Sequence, residues 1–186
     1  MKKILLMGHP NVGKSAFFNR LAGANVIESN YPGTTVDYTK GYIRLEDEDI
    51  EIIDVPGAFS LEPKDKAEEV AVSMLNENKD ALVVCVLDAS KIERGLYLAL
   101  EIIEREYRVV LALNMWDVAE DKNIQIDVTK LEQILGVPVV PTIAISGEGI
   151  KELVERIKEA RAIEVKEIIE RVKLTSTPGV EVRGKE

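Results

Sequence analysis

The 186-residue sequence is poor in sulfur and imidazole, with one cysteine and one histidine. A single cysteine excludes a disulfide framework within the chain, so a reducing cytoplasm is the expected environment. Cys85 lies in the apolar segment ALVVCVLD, and we expect it to be a buried core thiol. The chain is long enough for one domain with a sizeable core.

Basic clusters and long apolar runs are also missing. The formal net charge is −9 and no run of lysines and arginines occurs, which argues against a large nucleic-acid-binding surface. The apolar runs have the length of strands, and the apolar part of the N-terminal MKKILLMG is too short for a signal peptide. We therefore expect no nucleic-acid partner and no membrane span within this chain.

The sequence does contain short β-branched runs that alternate with helical patterns, which is typical of a parallel α/β sheet. Strands are predicted at 4–7, 42–45, 51–55, 81–87, 109–113 and 139–142. Helices are predicted at 14–22, 67–76, 95–104, 128–135 and 149–158. The strands at 42–45 and 51–55 flank the acidic turn EDED (46–49) and should pair antiparallel. Segments 24–39 and 58–65 lack periodicity, which is typical of functional loops.

The segment GHPNVGKS (8–15) fits the phosphate-binding pattern G-x-x-x-x-G-K-S between a predicted strand and a predicted helix. Gly8 and Gly13 let backbone N–H groups converge on phosphate oxygens, Lys14 neutralises the β and γ phosphates, and the Ser15 hydroxyl ligates magnesium. The N-terminus of the following helix faces the same anion. The predicted phosphate site comprises Gly8, Val12, Gly13, Lys14, Ser15 and Ala16.

Two further strand ends carry chemistry that fits a nucleotide. In DVPG, the Asp54 carboxylate suits a magnesium-bound water and the Gly57 N–H suits a γ phosphate. In NMWD, Asn114 and Asp117 follow a predicted strand, and a carboxylate there accepts two hydrogen bonds that guanine offers and adenine does not. The alternative for the NMWD pair is an ordinary cap between strand and helix.

A threonine in YPGTT suits magnesium and the γ phosphate, and chemistry alone leaves both Thr34 and Thr35 open. The alternative is a plain Pro-Gly turn. Because the four elements occur in one order on one α/β pattern, they predict a guanine-nucleotide-binding domain. Its two mobile switches are predicted at 24–39 and about 57–76.

The motif GxPNVGKSxxFNxLxG resembles the Era and TrmE families of GTPases, and longer segments narrow the resemblance. NYPGTTVD, DVPGAFSLEPKDKAEEVA, LDASKIERGLYLALEIIE and VVLALNMWDVAEDKNIQIDVTKLEQILGVPVVP resemble the N-terminal G domain of FeoB-type ferrous iron transporters, from about residue 2 to 157. Together with the six predicted strands, this implies a P-loop NTPase fold, a Ras-like G domain whose mostly parallel sheet is flanked by helices.

The resemblance also implies an activity and partners. The expected function is to bind GTP and GDP and to hydrolyse GTP at the cytoplasmic face of the plasma membrane, regulating or energising ferrous iron uptake. The partners that it implies are a following helical domain and a polytopic membrane region. Whether the chain forms a homo-oligomer stays open.

Matched residue by residue, the family pattern places Thr35 on magnesium. The segment 144–146, Ala-Ile-Ser, departs from the Ser-Ala-Lys that many GTPases have there, and the Ala144 N–H is still expected to meet the guanine carbonyl. Asn11 matches an asparagine that holds potassium in potassium-activated members; the alternative is a turn residue without a cation. Met115 replaces the lysine of N-K-x-D, which predicts weaker nucleotide binding and faster release.

Ala58 stands where Ras-like enzymes have a water-orienting glutamine, so we expect slow intrinsic hydrolysis. The groups expected to act in catalysis are Lys14, Asn11, Thr35 and Gly57. His9 is expected to be a loop residue near the phosphates. The acidic residues of the second switch are expected to be solvated charges: Glu62, Asp65, Glu68 and Glu69.

The C-terminal part differs in character. We expect the G domain at 1–160, and at 161–186 the start of a truncated helical domain or a linker. An apolar stripe at helical spacing fits either an extra helix on the G domain or the first helix of another domain, and 175–186 reads as a frayed end. The stripe comprises Val165, Ile168, Ile169 and Val172.

Two other functions remain open. One is an RNA- or ribosome-associated GTPase of the Era or TrmE type, although the acidic composition offers no basic surface. The other is a nucleotide-gated interaction module that binds GTP and hydrolyses little of it, because Ala58 has no polar side-chain atom.

Overall fold

A twisted β-sheet organises the chain, and the computed structural model describes residues 3–23, 26–45 and 47–176. The strands are β1 (Lys3–Met7), β2 (Ile27–Asn30), β3 (Asp37–Leu45), β4 (Glu48–Asp54), β5 (Leu82–Asp88), β6 (Arg108–Asn114) and β7 (Val139–Pro141). Their order in the sheet is β2-β3-β4-β1-β5-β6-β7. Both pairings of β3 are antiparallel, and the strands from β4 to β7 are parallel to their neighbours.

Helices cover both faces of this sheet. They are α1 (Lys14–Ala22), α2 (Lys66–Glu77), α3 (Ile92–Glu104), α4 (Trp116–Asp121), α5 (Val128–Leu135), α6 (Ile150–Arg156) and α7 (Val165–Ser176). Buried side chains of α2, α3 and α5 pack in one apolar cluster, and those of α1 and α6 pack in a second cluster on the opposite face. The central strands are therefore buried on both sides, which is why their sequences are continuously apolar.

The alternation of side chains along β1 shows how one strand serves both clusters. Leu5 and Met7 pack into the cluster that contains α2 and α3, whereas Ile4 and Leu6 pack into the cluster that contains α1. Cys85 lies in the first cluster and is 1% exposed, so its assignment as a core thiol is confirmed. Burial raises the pKa of this thiol to about 12.

The α/β fold with a mostly parallel sheet is confirmed, but the predicted number of six strands is wrong. The structure has seven strands, because β2 occupies part of the segment that was predicted to be irregular. Its sequence, IESN, is mostly exposed at the sheet edge and carries no apolar alternation. The antiparallel pairing of β3 with β4 is confirmed, but β3 begins at Asp37 rather than at residue 42.

The helix predictions hold with small shifts. Helices 14–22 and 128–135 agree with α1 and α5, while the short α4 was not predicted. Part of the first switch, residues 24 and 25, and Glu46 of the acidic turn lie outside the described residues, as does 177–186 of the predicted frayed end.

The chain after α6 returns to the apolar core. Ile163 and Ile168 are 1% and 8% exposed and belong to the cluster that contains α5. Val165, Ile169 and Val172 stay between 37% and 48% exposed, so the described residues cover this face of α7 only in part. Over the described ranges, no helix combines the length and apolar character needed to cross a bilayer.

Candidate nucleotide-binding site

Parallel strands bring the loops that carry the predicted motifs to one edge of the sheet. β1 pairs in parallel with β4 and β5, and β6 pairs in parallel with β5 and β7. Their carboxyl ends therefore point the same way, and the loops that follow β1, β4, β6 and β7 share this edge. In open α/β sheets, ligands bind in the crevice outside the carboxyl ends of the strands.

The loop after β1 requires its two glycines because other groups approach closely. A Cβ atom on Gly8 would lie 2.3 Å from the carbonyl oxygen of Val86, and one on Gly13 would lie 2.4 Å from Nδ2 of Asn114. Gly13 also has a φ of 91° at the N-cap of α1, a region that favours glycine. This loop can therefore pack against β5 and β6 while it leaves its backbone amides open to an anion.

Lys14, Ser15 and Asp54 form a polar group at the start of α1. The Ser15 hydroxyl donates to Oδ2 of Asp54 at 3.1 Å, whereas the buried Oδ1 of Asp54 has no partner among the described residues. Burial raises the pKa of Asp54 and lowers that of Lys14, while their mutual attraction opposes both shifts. The unsatisfied acceptor beside a hydroxyl fits a hydrated divalent cation, because a metal-bound water would donate to it.

Asn114 connects two loops of the site. Its side chain is 3% exposed, donates from Nδ2 to the carbonyl oxygen of Val12 at 2.8 Å, and accepts at Oδ1 from the Ala144 N–H at 2.9 Å. An ordinary cap between β6 and α4, the alternative considered for Asn114, would not account for these long-range contacts. The Ala144 N–H is engaged by Asn114 here, and its contact with a guanine carbonyl stays a prediction.

Met115 turns the chain between β6 and α4. Its φ of 58° is uncommon for a residue with a side chain, and it places Asp117 in the first turn of α4. Trp116 donates its backbone N–H to the carbonyl oxygen of Thr142 at 3.2 Å, which joins this turn to the loop after β7. Asp117 is exposed at the same edge, as a ligand-reading carboxylate would have to be.

The loop between β2 and β3, here called the first loop, contains both candidate threonines, and their hydrogen bonds differ. The Thr34 hydroxyl donates to the carbonyl oxygen of Tyr31 at 3.0 Å and accepts from the Val36 N–H at 3.2 Å, so it is engaged in the turn. Thr35 is exposed, and its side chain has no hydrogen-bond partner in the described part of the chain. The geometry leaves the Thr35 hydroxyl available to a ligand, although the structure brings it into contact with none of the other site residues.

The loop between β4 and α2, here called the second loop, is held by two carboxylates whose role the sequence did not predict. Glu68 is 4% exposed and accepts the Phe59 N–H at 2.9 Å and the Lys64 N–H at 2.7 Å. Glu101 of α3 accepts the Leu61 N–H at 2.9 Å. The prediction that Glu68 is a solvated charge is therefore wrong, because backbone donors nearby in the loop satisfy its buried carboxylate.

The same loop contacts the phosphate loop directly. A Cβ atom on Gly57 would lie 2.9 Å from the ring of Pro10, and the Ala58 N–H donates to the carbonyl oxygen of Gly8 at 3.2 Å. The rings of His9 and Phe59 are tilted, with centroids 4.9 Å apart. Burial lowers the pKa of His9. His9 thus lies in the phosphate loop as expected, with an aromatic contact to the second loop that its sequence context did not indicate.

Other predicted residues lie where the motif places them. Asn11 is exposed in the phosphate loop with a φ of 65°, so it does form a turn. Ala16 follows Ser15 in the first turn of α1. Arg20, later on the same helix, was not predicted as part of the site, yet it reaches the loop after β7.

A phosphate loop, a strand-end aspartate and an N-x-x-D turn at one edge of this sheet define a P-loop domain of the G-domain class. The chain matches the family of ferrous iron transport protein B, FeoB, over residues 2–157. It therefore belongs to that family, through the segment found in its N-terminal part.

Individual relatives agree with this assignment. The chain is 42% identical over 152 residues to an Fe(2+) transport protein A/Fe(2+) transporter FeoB fusion protein of Porphyromonas gingivalis, covering 81% of this chain and 18% of the relative. It is 35% identical over 175 residues to the Fe(2+) transporter FeoB of Escherichia coli, covering 91% of this chain and 23% of the relative. The chain thus spans about a fifth of the length of these curated relatives.

Solved structures show the same fold. The cytosolic domain of the T. maritima FeoB iron transporter in its GMPPNP form superposes with a TM-score of 0.80 at 41% identity, covering 86% of this chain and 63% of that one. The cytosolic domain of L. pneumophila FeoB gives a TM-score of 0.81 at 37% identity, covering 88% and 70%.

Proposed function

We propose that this chain is the GTP-binding and GTP-hydrolysing domain of a ferrous iron transporter, and that its nucleotide cycle regulates or energises iron uptake. The observation that carries the proposal is the buried Asn114 amide, which ties the phosphate loop to the loop after β7 beside the exposed Asp117. This arrangement supports binding of phosphates and base at once. It agrees with the nucleotide-bound forms of the related T. maritima domain.

Magnesium is the proposed metal. Ser15 and Thr35 would ligate it through their hydroxyls, and Asp54 would hold one of its water molecules through the oxygen that lacks a partner among the described residues. When bound, the ion would neutralise phosphate charge. Ser15 can keep its 3.1 Å hydrogen bond to Asp54 while it coordinates the ion, because the hydroxyl donates its proton to the carboxylate and still has lone pairs for the metal.

For hydrolysis, the chain offers backbone groups and Lys14. In this structure the Ala58 N–H donates to Gly8, so it is not available to a water molecule. The Gly57 N–H and Lys14 would stabilise charge on the γ phosphate, and Asn11 would hold potassium next to it. Slow hydrolysis follows, because no side chain at position 58 orients the attacking water.

Single-turnover phosphate release from GTP tests this function. We expect hydrolysis that requires magnesium, is absent with ATP, and is lost in Lys14→Ala. Comparing potassium with sodium tests Asn11, since equal rates would remove its cation role. Tight GTP binding without phosphate release would instead support the nucleotide-gated interaction module.

The remaining proposals concern the longer protein. We propose that 1–160 is the G domain and 161–186 the start of the following helical region, located with it at the cytoplasmic face of the membrane. The exposed apolar face of α7 supports this, because further helices would cover it. In a chain that includes such a helical region, we expect slower hydrogen exchange at the amides of Ile169 and Val172 than in residues 1–186 alone.

A further inference from the structure

Arg20 of α1 reaches across the site to the loop after β7. We propose that Arg20 is a positioning residue: it fixes the base loop, residues 142–149, and thereby sets how long a guanine nucleotide stays bound. This inference rests on the proposed function, since it concerns the base end of that same site.

The contact is specific in geometry. Nε of Arg20 donates to the carbonyl oxygen of Ala144 at 3.1 Å, and Nη2 donates to the carbonyl oxygen of Ile145. A guanidinium is planar and presents its donors as a rigid fork, so one side chain can hold two successive carbonyls in a fixed orientation. An ammonium is a point donor on a flexible stem and would not reproduce this fork.

Contacts other than Arg20 hold the base loop mainly at Ala144 and within the loop itself. Two backbone hydrogen bonds stabilise the loop from within. They run from the Ile143 N–H to the carbonyl oxygen of Glu148 at 3.0 Å and from the Gly147 N–H to the carbonyl oxygen of Ile143 at 2.8 Å. Ala144 is 2% exposed and packs in the cluster that contains α1, whereas the side chain of Ile145 is 82% exposed and is not anchored by burial. Arg20 therefore adds two side-chain hydrogen bonds to the carbonyls of a loop that is otherwise held at Ala144, and it is the contact that reaches Ile145.

Ala144 is held on both sides of its backbone. Its N–H donates to Asn114 and its carbonyl accepts from Arg20, at 2.9 and 3.1 Å. Asn114 also binds Val12 of the phosphate loop, and Arg20 lies on the helix that begins with Lys14. Two separate connections thus join the phosphate loop to the base loop, so that the two ends of a bound nucleotide would be fixed to one rigid unit.

The Arg20 charge serves no competing salt bridge in the structure. Across residues 3–23, 26–45 and 47–176, no carboxylate forms an ion pair with Arg20. Met115 lacks the charged contact that a lysine would make over the base, so the position of the base loop gains importance for retention of the nucleotide. Arg20 offsets part of that loss by holding the loop in place.

The test compares Arg20→Gln, Arg20→Lys and the control Asn19→Ala, which changes an exposed neighbour on the same helix. Release of mant-GDP measured by stopped flow should be about fivefold to tenfold faster in Arg20→Gln, because charged hydrogen bonds to the loop are lost. Arg20→Lys should fall between it and the wild type, and Asn19→Ala should match the wild type. The KM for GTP should rise in Arg20→Gln with kcat unchanged, which a general loss of folding would not produce.

Hydrogen exchange in the nucleotide-free protein separates this inference from the proposed function. The Gly147 amide should exchange faster in Arg20→Gln than in the wild type or in Asn19→Ala. Unchanged exchange, or equal mant-GDP release in Arg20→Gln and the wild type, overturns the role of Arg20. A wild-type chain that binds no mant-GDP overturns the proposed function instead.

Discussion

Replacing Glu68 by glutamine should loosen the second loop. The buried carboxylate accepts hydrogen bonds from the Phe59 and Lys64 N–H groups, and a glutamine would present a donor to one of them. Hydrogen bonds to a charged group contribute about 1.5–3 kcal/mol each. Phe59 is 59% exposed, so water can hydrogen-bond to the N–H group that loses its acceptor. We therefore expect a net loss of about 2 kcal/mol in the stability of the closed loop.

A cost of about 2 kcal/mol raises the population of the open loop by roughly thirtyfold. It should lower the Tm by about 4–8 °C if the loop opens only on global unfolding. Hydrogen exchange at the amides of Phe59 and Lys64 and trypsin cleavage after Lys64 measure these effects. The matched control is Glu69→Gln, because Glu69 is exposed and pairs only with Lys66 at 2.8 Å. Equal exchange rates in both variants would refute the view that the Glu68 carboxylate holds the loop.

Three further predictions follow from other contacts. Asn114→Ala should lower the free energy of unfolding by about 2–4 kcal/mol in urea denaturation, since it removes the buried hydrogen bonds that Asn114 makes with Val12, Ala144 and Thr142; a loss below about 1 kcal/mol would contradict this. Thr34→Ala should cost about 1 kcal/mol of stability, whereas Thr35→Ala should leave the Tm unchanged and lower GTP turnover; the reverse pattern would exchange their roles. The hydrogen bond from Arg156 lowers the pKa of Glu132, so this ion pair stabilises the fold fully above the unfolded-state pKa of about 4.3 and stops doing so as the pH falls through the pKa of Glu132 in the folded protein. The difference in unfolding free energy between the wild type and Glu132→Gln should therefore shrink from pH 7 to more acidic pH. A constant difference would contradict this.

The parts of the fold that could be predicted from sequence have local signals. The central strands are buried on both faces, so each shows a continuous apolar run, and the phosphate loop is a contiguous motif between a strand and a helix. β2 escaped prediction because it is a four-residue edge strand whose side chains are mostly exposed. β2 forms because it pairs with β3, and the sequence of four residues alone does not indicate such pairing.

The contacts that shape the site depend on tertiary structure. Arg20 and Ala144 are separated by 124 positions, and Asn114 and Val12 by 102. No spacing rule connects such residues, so sequence reasoning identified Asn114 from its motif and missed Arg20. Glu68 was misjudged for a related reason, because an acidic residue near a helix start is usually solvated, whereas here the loop folds back onto it.

The segment between β2 and β3 and the segment after Asp54 are held by different hydrogen bonds. Hydrogen bonds within its own turn hold the segment between β2 and β3, and Thr35 stays exposed. The segment after Asp54 is already ordered by Glu68, by Glu101 and by the Ala58 N–H on Gly8. Moving either segment around a ligand requires existing hydrogen bonds to break, and new contacts must offset that cost. If a γ phosphate attracts the Gly57 N–H as proposed, it would compete with the Ala58 contact one residue away, so we expect the segment after Asp54 to rearrange when a triphosphate binds.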